Sequence, residues 1–302
     1  LHSFPTRRSS DLQVRVDYSA EPDNGLHFRS RAAGDAIDEV WTQGEAIDHR
    51  HWFPSWDQPD DRFVYEGEIT FPDGWSVVSN TGLEMVNYLV MVAASPDYVE
   101  VSHPDDASLS VWVPKQTSPV AIAGVLDPMP EMMTHMAARA GSPYPWGLYR
   151  QIFVQRFLYS GMENTSATIQ TVRMLHEQDT ADTGWVESVV AHELAHQWYG
   201  DLLTCRDWRE LWLNEGFATF FAADWLRQSE GDAYWAAKID GWFSSSRAES
   251  SAMSGSFHQG ADKPVSNRVY VKGSSVLRQL QVMLGDEVFW RGIAHYTTTH
   301  HN

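Results

Sequence analysis

Apolar residues recur at two different periods along the chain. From Leu12 to Pro119 the runs QVRVDYS, LHFRSR, FVYEGEITF, WSVVSN, YLVMVAA and LSVWV are short and β-rich, and several alternate apolar and polar positions. That period of two places every second side chain on one face of a strand. Pro72 to Gly74 and Ser79 to Gly82 punctuate the runs as turns, so this half reads as sheet. From Met129 onward apolar residues fall three or four apart, in PEMMTHMAARA, WVESVVAHELAHQWY, NEGFATFFAADWLRQ, DAYWAAKIDGWF and VKGSSVLRQLQVML, the spacing of a helix face. IFVQRFLY at 152–159 reads as an isolated strand in this helical half, and the stretch from Ser244 to Ser256 as a surface loop. The pattern predicts an α+β chain, with an N-terminal antiparallel β-sheet domain over 13–120 and a mainly helical domain over 121–302.

At about 150 residues per domain, 302 residues allow two cores, and 14 Trp, 11 Tyr and 13 Phe supply apolar area to fill them. The 22 basic and 40 acidic side chains leave a net charge of −18. Such a chain repels phosphate backbones and anionic lipid heads, which argues against nucleic acid and membrane surfaces and favours cationic ligands. Its longest apolar stretch, Tyr88 to Ala94, is far short of the roughly 20 residues that span a bilayer, so the chain reads as soluble. Cys205 is the single cysteine, reads as structural, and leaves the redox compartment open. Residues 1–12, LHSFPTRRSSDL, lack a signal-peptide core and differ in texture from the rest of the chain, so they read as a non-native or disordered segment. A start without Met and a stop straight after a helical pattern read as a fragment whose native N-terminus is missing. Localisation and oligomeric state carry no signal.

His192, Glu193 and His196 spell H-E-L-A-H within a helical pattern. Side chains four apart share a helix face, so both imidazoles can chelate one ion while Glu193 stands beside them. A catalytic zinc needs three protein ligands and an open position for water. Glu215, opening the next helical pattern after 18 intervening residues, is the expected third, since the turn signals from Gly200 to Asp207 allow the second helix to fold back. A Glu at a helix start can instead favour the positive helix end. Here Leu211, Trp212, Leu213, Phe217, Phe220 and Phe221 flank it with apolar surface, which favours a carboxylate facing a cation. One zinc ion with a vacant corner is expected, because a closed structural site usually takes four side chains, often cysteines. Zinc brings the pKa of bound water near neutrality and polarises carbonyls, and Glu193 can carry the proton from water to a leaving amine, the chemistry of peptide hydrolysis.

In these residues the chain resembles the gluzincin zinc aminopeptidases, the family of aminopeptidase N and leukotriene hydrolase. The resemblance takes in H-E-L-A-H-Q-W at 192–198, G-D-L-L-T at 200–204, W-R-E-L-W-L-N-E-G-F-A at 208–218 and S-G-M-E-N-T-S-A-T at 160–168. It extends to P-Y-P-W at 143–146, T-Q-G-E-A at 42–46, R-H-W-F-P-S-W-D-Q-P at 50–59 and Y-V-K-G at 270–273. It implies a saddle-like sheet domain followed by a thermolysin-like peptidase domain truncated at its C-terminal end. It also implies an enzyme that cleaves the N-terminal residue from peptides with a free N-terminus. By the same resemblance Glu163 anchors the substrate's α-amino group and Glu45 is a second amine contact. Gly161, Met162 and Asn164 bind the peptide as an added strand, and Tyr270 donates a hydrogen bond to the oxyanion of the tetrahedral intermediate.

Alternatives stay open at several positions. Glu45 can be a surface residue at a strand end, and Tyr270 a packing or capping residue. Ser160 stands where the family usually has Gly, and the stretches Leu83–Tyr88 and Pro264–Tyr270 read as shorter than the family's layout, the second of which could misplace Tyr270. A thermolysin-type endopeptidase and a zinc- or peptide-binding fragment without turnover are the competing functions. His295, His300 and His301 read as a polar helix end, and most of the tryptophans as core.

Overall fold

The computed structural model describes residues 14–177, 183–250 and 267–300. The expected non-native segment 1–12 lies outside them. The first half contains β1 (Leu26–Arg29), β2 (Glu39–Thr42), β3 (Arg62–Val64), β4 (Ser76–Ser79), β5 (Glu84–Val86), β6 (Val92–Ser95), β7 (Tyr98–Ser102) and β8 (Leu109–Pro114). Helices α1 (Pro119–Leu126) and α2 (Met129–Ala140) lead to β9 (Tyr149–Val154), β10 (Gly161–Met162) and β11 (Ala167–Thr171). Then come α3 (Arg173–Glu177), α4 (Thr183–His196), α5 (Trp212–Ser250), α6 (Gly273–Leu284) and α7 (Asp286–His300). Ser118 caps α1 by accepting the Ala121 amide, and Gly231, at φ 79°, breaks α5 into two segments.

Four strands pair antiparallel in the order β1-β2-β6-β4, and β3 pairs antiparallel with β5. A second sheet runs β10-β11-β9-β8-β7, in which β9 is parallel to both neighbours. The run IFVQRFLY is therefore not an isolated strand. Ile152, Phe153 and Val154 belong to the middle strand of five and are fully buried. A parallel strand covered on both faces reads as a continuous apolar run, and its partners lie too far away in sequence for periodicity to reveal them. Arg156, at φ 48°, then turns the chain out of the sheet. Strands β7 and β8 precede residue 120 yet hydrogen-bond into this second sheet.

Other runs also differ from their pattern. From QVRVDYS no strand forms among the described residues, and Val14 and Val16 stay exposed. Of FVYEGEITF only Phe63 and Val64 lie in a strand, with Tyr65 continuing the backbone hydrogen bonds to Gly82 and Leu83. The loop expected from Ser244 is helical through Ser250, where Ser246 and Ser275 place their hydroxyls 3.2 Å apart between α5 and α6; its remainder lies outside the described residues.

Two cores result. One joins the helices to β8 and β9 through residues such as Met132, Phe153, Leu194, Phe220 and Phe289, and the other fills the space between the sheets around Trp41, Met85, Leu89 and Ile169. Glu39 crosses from one sheet to the other. Its carboxylate accepts the Tyr98 hydroxyl at 2.9 Å and the Gln155 amide at 2.7 Å. Burial nevertheless raises its pKa from 4.5 to about 7, against the pull of those hydrogen bonds. An acid whose pKa is raised by folding favours the fold while protonated, so the contribution is whole below pH 4.5 and lost as pH climbs through about 7. Wild-type unfolding free energy should fall by on the order of 3 kcal/mol across that window from this group alone. Glu39→Gln should flatten that slope in thermal melts recorded at a series of pH values; an unaltered slope refutes the assignment.

Candidate active site

Helix α4 turns Trp185, Ser188, Val189, His192 and His196 toward a cavity of about 890 Å³. Beyond its last turn, Tyr199 accepts a hydrogen bond from His196 Nδ1 at 2.8 Å. A carbonyl only accepts, so neutral His196 carries its proton on Nδ1 and directs the Nε2 lone pair inward. The chain then reverses. Asp207 caps the turn at Trp208–Glu210, and the Cys205 amide donates to Asn214 Oδ1 at 3.0 Å, which fastens the linker to the first turn of α5. Glu215 is thereby brought beside α4.

His192 Nε2 and His196 Nε2 lie 3.0 Å apart, and Glu215 Oε2 lies 3.1 Å from the first and 3.2 Å from the second. Three atoms at such separations share a point about 2 Å from each, the usual Zn–N and Zn–O distance. Two imidazoles and a carboxylate at that spacing fit a zinc ion. Electrostatics agree. Burial opposes charge on His196, yet Glu163, Glu215 and Glu193 together raise its pKa well above the ordinary value. Glu215, despite burial, is held down to about 2 by His196 and His192. The pocket thus demands positive charge where the three ligand atoms meet, and a dication supplies it while leaving both Nε2 atoms as lone-pair donors.

Glu193 lines the same cavity. A Cβ on Gly161 would run into its carboxylate, so glycine at this position lets β10 pass close to α4. Burial, reinforced by Glu163 and Glu215, raises the Glu193 pKa well above the carboxylate range against the pull of His196. Tyr270 is also at the cavity, its ring centroid 5.9 Å from that of His192. It sits on the π-helical turn Arg268–Lys272 that leads into α6. A Cβ on Gly216 would lie 2.7 Å from the Gly273 Cα, so α5 and α6 cross backbone to backbone one residue after Glu215 and three after Tyr270. That crossing brings the phenol to the ligands in spite of the short stretch before it. Burial and the nearby Glu215 and Glu45 carboxylates raise its pKa well above 10, which keeps it a proton donor.

Glu163 and Glu45 line the cavity together, and Glu45 Oε1 is buried with no hydrogen-bond partner among the described residues. Burial and the Glu163 charge push the Glu45 pKa well up. Such a pair of carboxylates, one with an orphaned oxygen, fits an ammonium group. Gly161 also faces the cavity, and β10 lies at the sheet edge, where an extended chain can add. Met162 and Asn164 do not face it. Met162 alternates inward, its sulfur accepting from Gln43 at 3.4 Å, and Asn164 donates to the Leu89 and Val90 carbonyls at 3.3 and 3.4 Å. Their side chains bind the two sheets to each other, so any contact of these two residues with an added peptide strand falls to their backbone.

The residues that hold Glu163 escape sequence reading. Gln197 donates to the Glu163 carbonyl at 3.0 Å and accepts the Ser166 amide at 2.8 Å, clamping the loop to the end of α4. Tyr88 donates to Glu163 Oε1 at 3.0 Å and accepts from Asn214 Nδ2 at 3.3 Å. It lies within the apolar run YLVMVAA, where nothing marks a polar task. Hydrogen bonds to charged groups contribute about 1.5–3 kcal/mol. Tyr88→Phe should therefore raise KM for free-amine substrates roughly tenfold, with kcat and metal content nearly unchanged. A fall in kcat at constant KM would remove Tyr88 from this role.

Residues 125–302 match the model of the peptidase family M1 domain, and residues 4–90 that of the peptidase M1 N-terminal domain. Aminopeptidase N of Streptomyces lividans is 25% identical over 300 residues, covering 88% of this chain and 35% of that protein. Aminopeptidase M1 of Arabidopsis thaliana is 29% identical over 301 residues, covering 86% and 33%. Among solved structures, native leukotriene A4 hydrolase from Saccharomyces cerevisiae superposes with a TM-score of 0.74 at 22% identity, over 86% of this chain and 44% of that one. The chain spans about a third of the length of these two sequence relatives. With the family M1 domain matched over more than half of its residues, this chain belongs to peptidase family M1.

Proposed function

We propose that the chain carries the active site of a zinc aminopeptidase that hydrolyses the N-terminal peptide bond of peptides. His192, His196 and Glu215 would hold one zinc ion, for which their spacing and donor set are the support, and the names of the relatives in family M1 support the reaction. When bound, zinc supplies Lewis acidity, acidifying water and polarising the scissile carbonyl. Glu193 then takes the proton of the attacking water and delivers it to the leaving amine, a role that its burial suits by making the carboxylate a stronger base. Tyr270 donates to the developing oxyanion. Glu163, with Glu45 beside it, receives the substrate's ammonium and fixes how far the peptide enters.

The observation that carries this reading over a thermolysin-type endopeptidase is the orphaned Glu45 oxygen next to Glu163. An internal segment of a peptide has no ammonium to offer there. Hydrolysis of an aminoacyl anilide is expected, abolished by a chelator and restored by zinc. A peptide should be cut at its N-terminal bond, and its N-acetylated form should lose at least about a hundredfold in kcat/KM through the missing charge pair, roughly 3 kcal/mol. Equal cleavage of both peptides would select the endopeptidase. One bound zinc per chain with no chelator-sensitive turnover would select a binding role.

A further inference from the structure

The cavity is electrically uneven. Glu45, Glu163 and Glu193 line it together with two cations, Arg173 and Lys238, that none of the roles above employs. Lys238 lies on the second segment of α5, half-buried, its ammonium 5.7 Å from the centre of the Tyr234 ring and without a carboxylate partner among the described residues. Burial lowers its pKa with no acid offsetting the effect, whereas contact with the glutamates would favour its charge. Arg173, which keeps contacts of its own, spreads its guanidinium over Trp185 at 5.3 Å. Trp185 stands seven residues before His192 on α4, about 10 Å along the helix axis. An extended peptide covers that length in about three residues.

Resting on the aminopeptidase reading, we infer that Lys238, in the field of Arg173, receives a substrate carboxylate on the leaving side of the scissile bond. The cavity then grips both ends of a short peptide, ammonium on Glu163 and carboxylate on Lys238, or takes a longer one with an acidic side chain near its third residue. A half-buried ammonium gains more from such a pairing than an exposed one does, because less water screens it.

Calorimetric titration of the zinc-loaded chain with Leu-Gly-Gly and with its C-terminal amide tests this. The acid should bind about tenfold more tightly, the 1.4 kcal/mol of one charge-assisted contact. Leu-Gly-Glu amide against Leu-Gly-Gln amide separates a side-chain carboxylate from a terminal one, and preference for the acid in either pair supports the subsite. Lys238→Met should erase the preference, and Lys238→Arg should restore part of it. Equal binding of acid and neutral partners in both pairs by the wild-type protein overturns the inference, while anilide turnover leaves the aminopeptidase reading intact. Absent turnover sinks that reading separately, since the titration needs no catalysis.

Discussion

Glu193→Gln is expected to reduce kcat on an aminoacyl anilide by about 10³-fold or more, with zinc content and melting temperature close to wild type. Glutamine keeps the shape beside Gly161 and cannot relay a proton. General acid–base catalysis contributes about 10²–10⁴-fold, and in the proposed mechanism one carboxylate serves first as base and then as acid, so the loss falls toward the upper end. Among the described residues, the other glutamates of the cavity are engaged elsewhere in the proposed reading. Glu215 is engaged by both histidines, and Glu163 is held by Tyr88 and, in the proposed reading, pairs with the ammonium beside Glu45. The pH profile carries a second signature. Burial raises the carboxyl pKa in the absence of metal, and a dication nearby favours the anion, so the acid limb of kcat/KM in wild type should follow metal occupancy and vanish in the residual activity of the variant. A variant retaining more than a tenth of wild-type kcat would remove Glu193 from the proton relay.

The parts of this site that sequence exposed are those set by local geometry. His192 and His196 share a face because a helix repeats every 3.6 residues, and no tertiary information is needed to place them together. Glu215 required one further inference, a chain reversal, which Gly200 and the Asp207 cap provide through ordinary turn chemistry. What stayed hidden depends on distant pairing. The position of β9 between β8 and β11 comes from partners either side of two helices or a loop, and periodicity cannot encode it. Tyr88 meets Glu163 across 75 residues of chain, and Lys238 sits in an amphipathic pattern where a lysine ordinarily faces solvent. Met162 and Asn164 share a motif with Glu163, yet β10 alternates and only part of the motif can face one cavity. Motif membership located the loop; the pleat and the hydrogen bonds decided which side chains face the cavity.

Glu215→Gln bears on the metal itself. Among the four glutamates at the cavity, Glu45, Glu163 and Glu193 have pKa values raised by burial, whereas Glu215 is pulled down to about 2 by the two imidazoles. It is thus the acid whose anionic form the two imidazoles favour, and the one whose oxygen stands at ligand distance from both histidines. A neutral amide oxygen there is a weaker donor and leaves a dication poorly compensated in a buried pocket. Wild-type protein should gain about 4 kcal/mol of stability at a free zinc level a thousandfold above its dissociation constant. At that same zinc level the variant should gain almost nothing. Each protein is compared with its own chelated form by thermal melting, so any change the substitution makes to the metal-free fold cancels. Undiminished zinc stabilisation in Glu215→Gln would mean that the ion is held elsewhere, and with it would go the placement of Glu193, Tyr270 and the ammonium site around that ion.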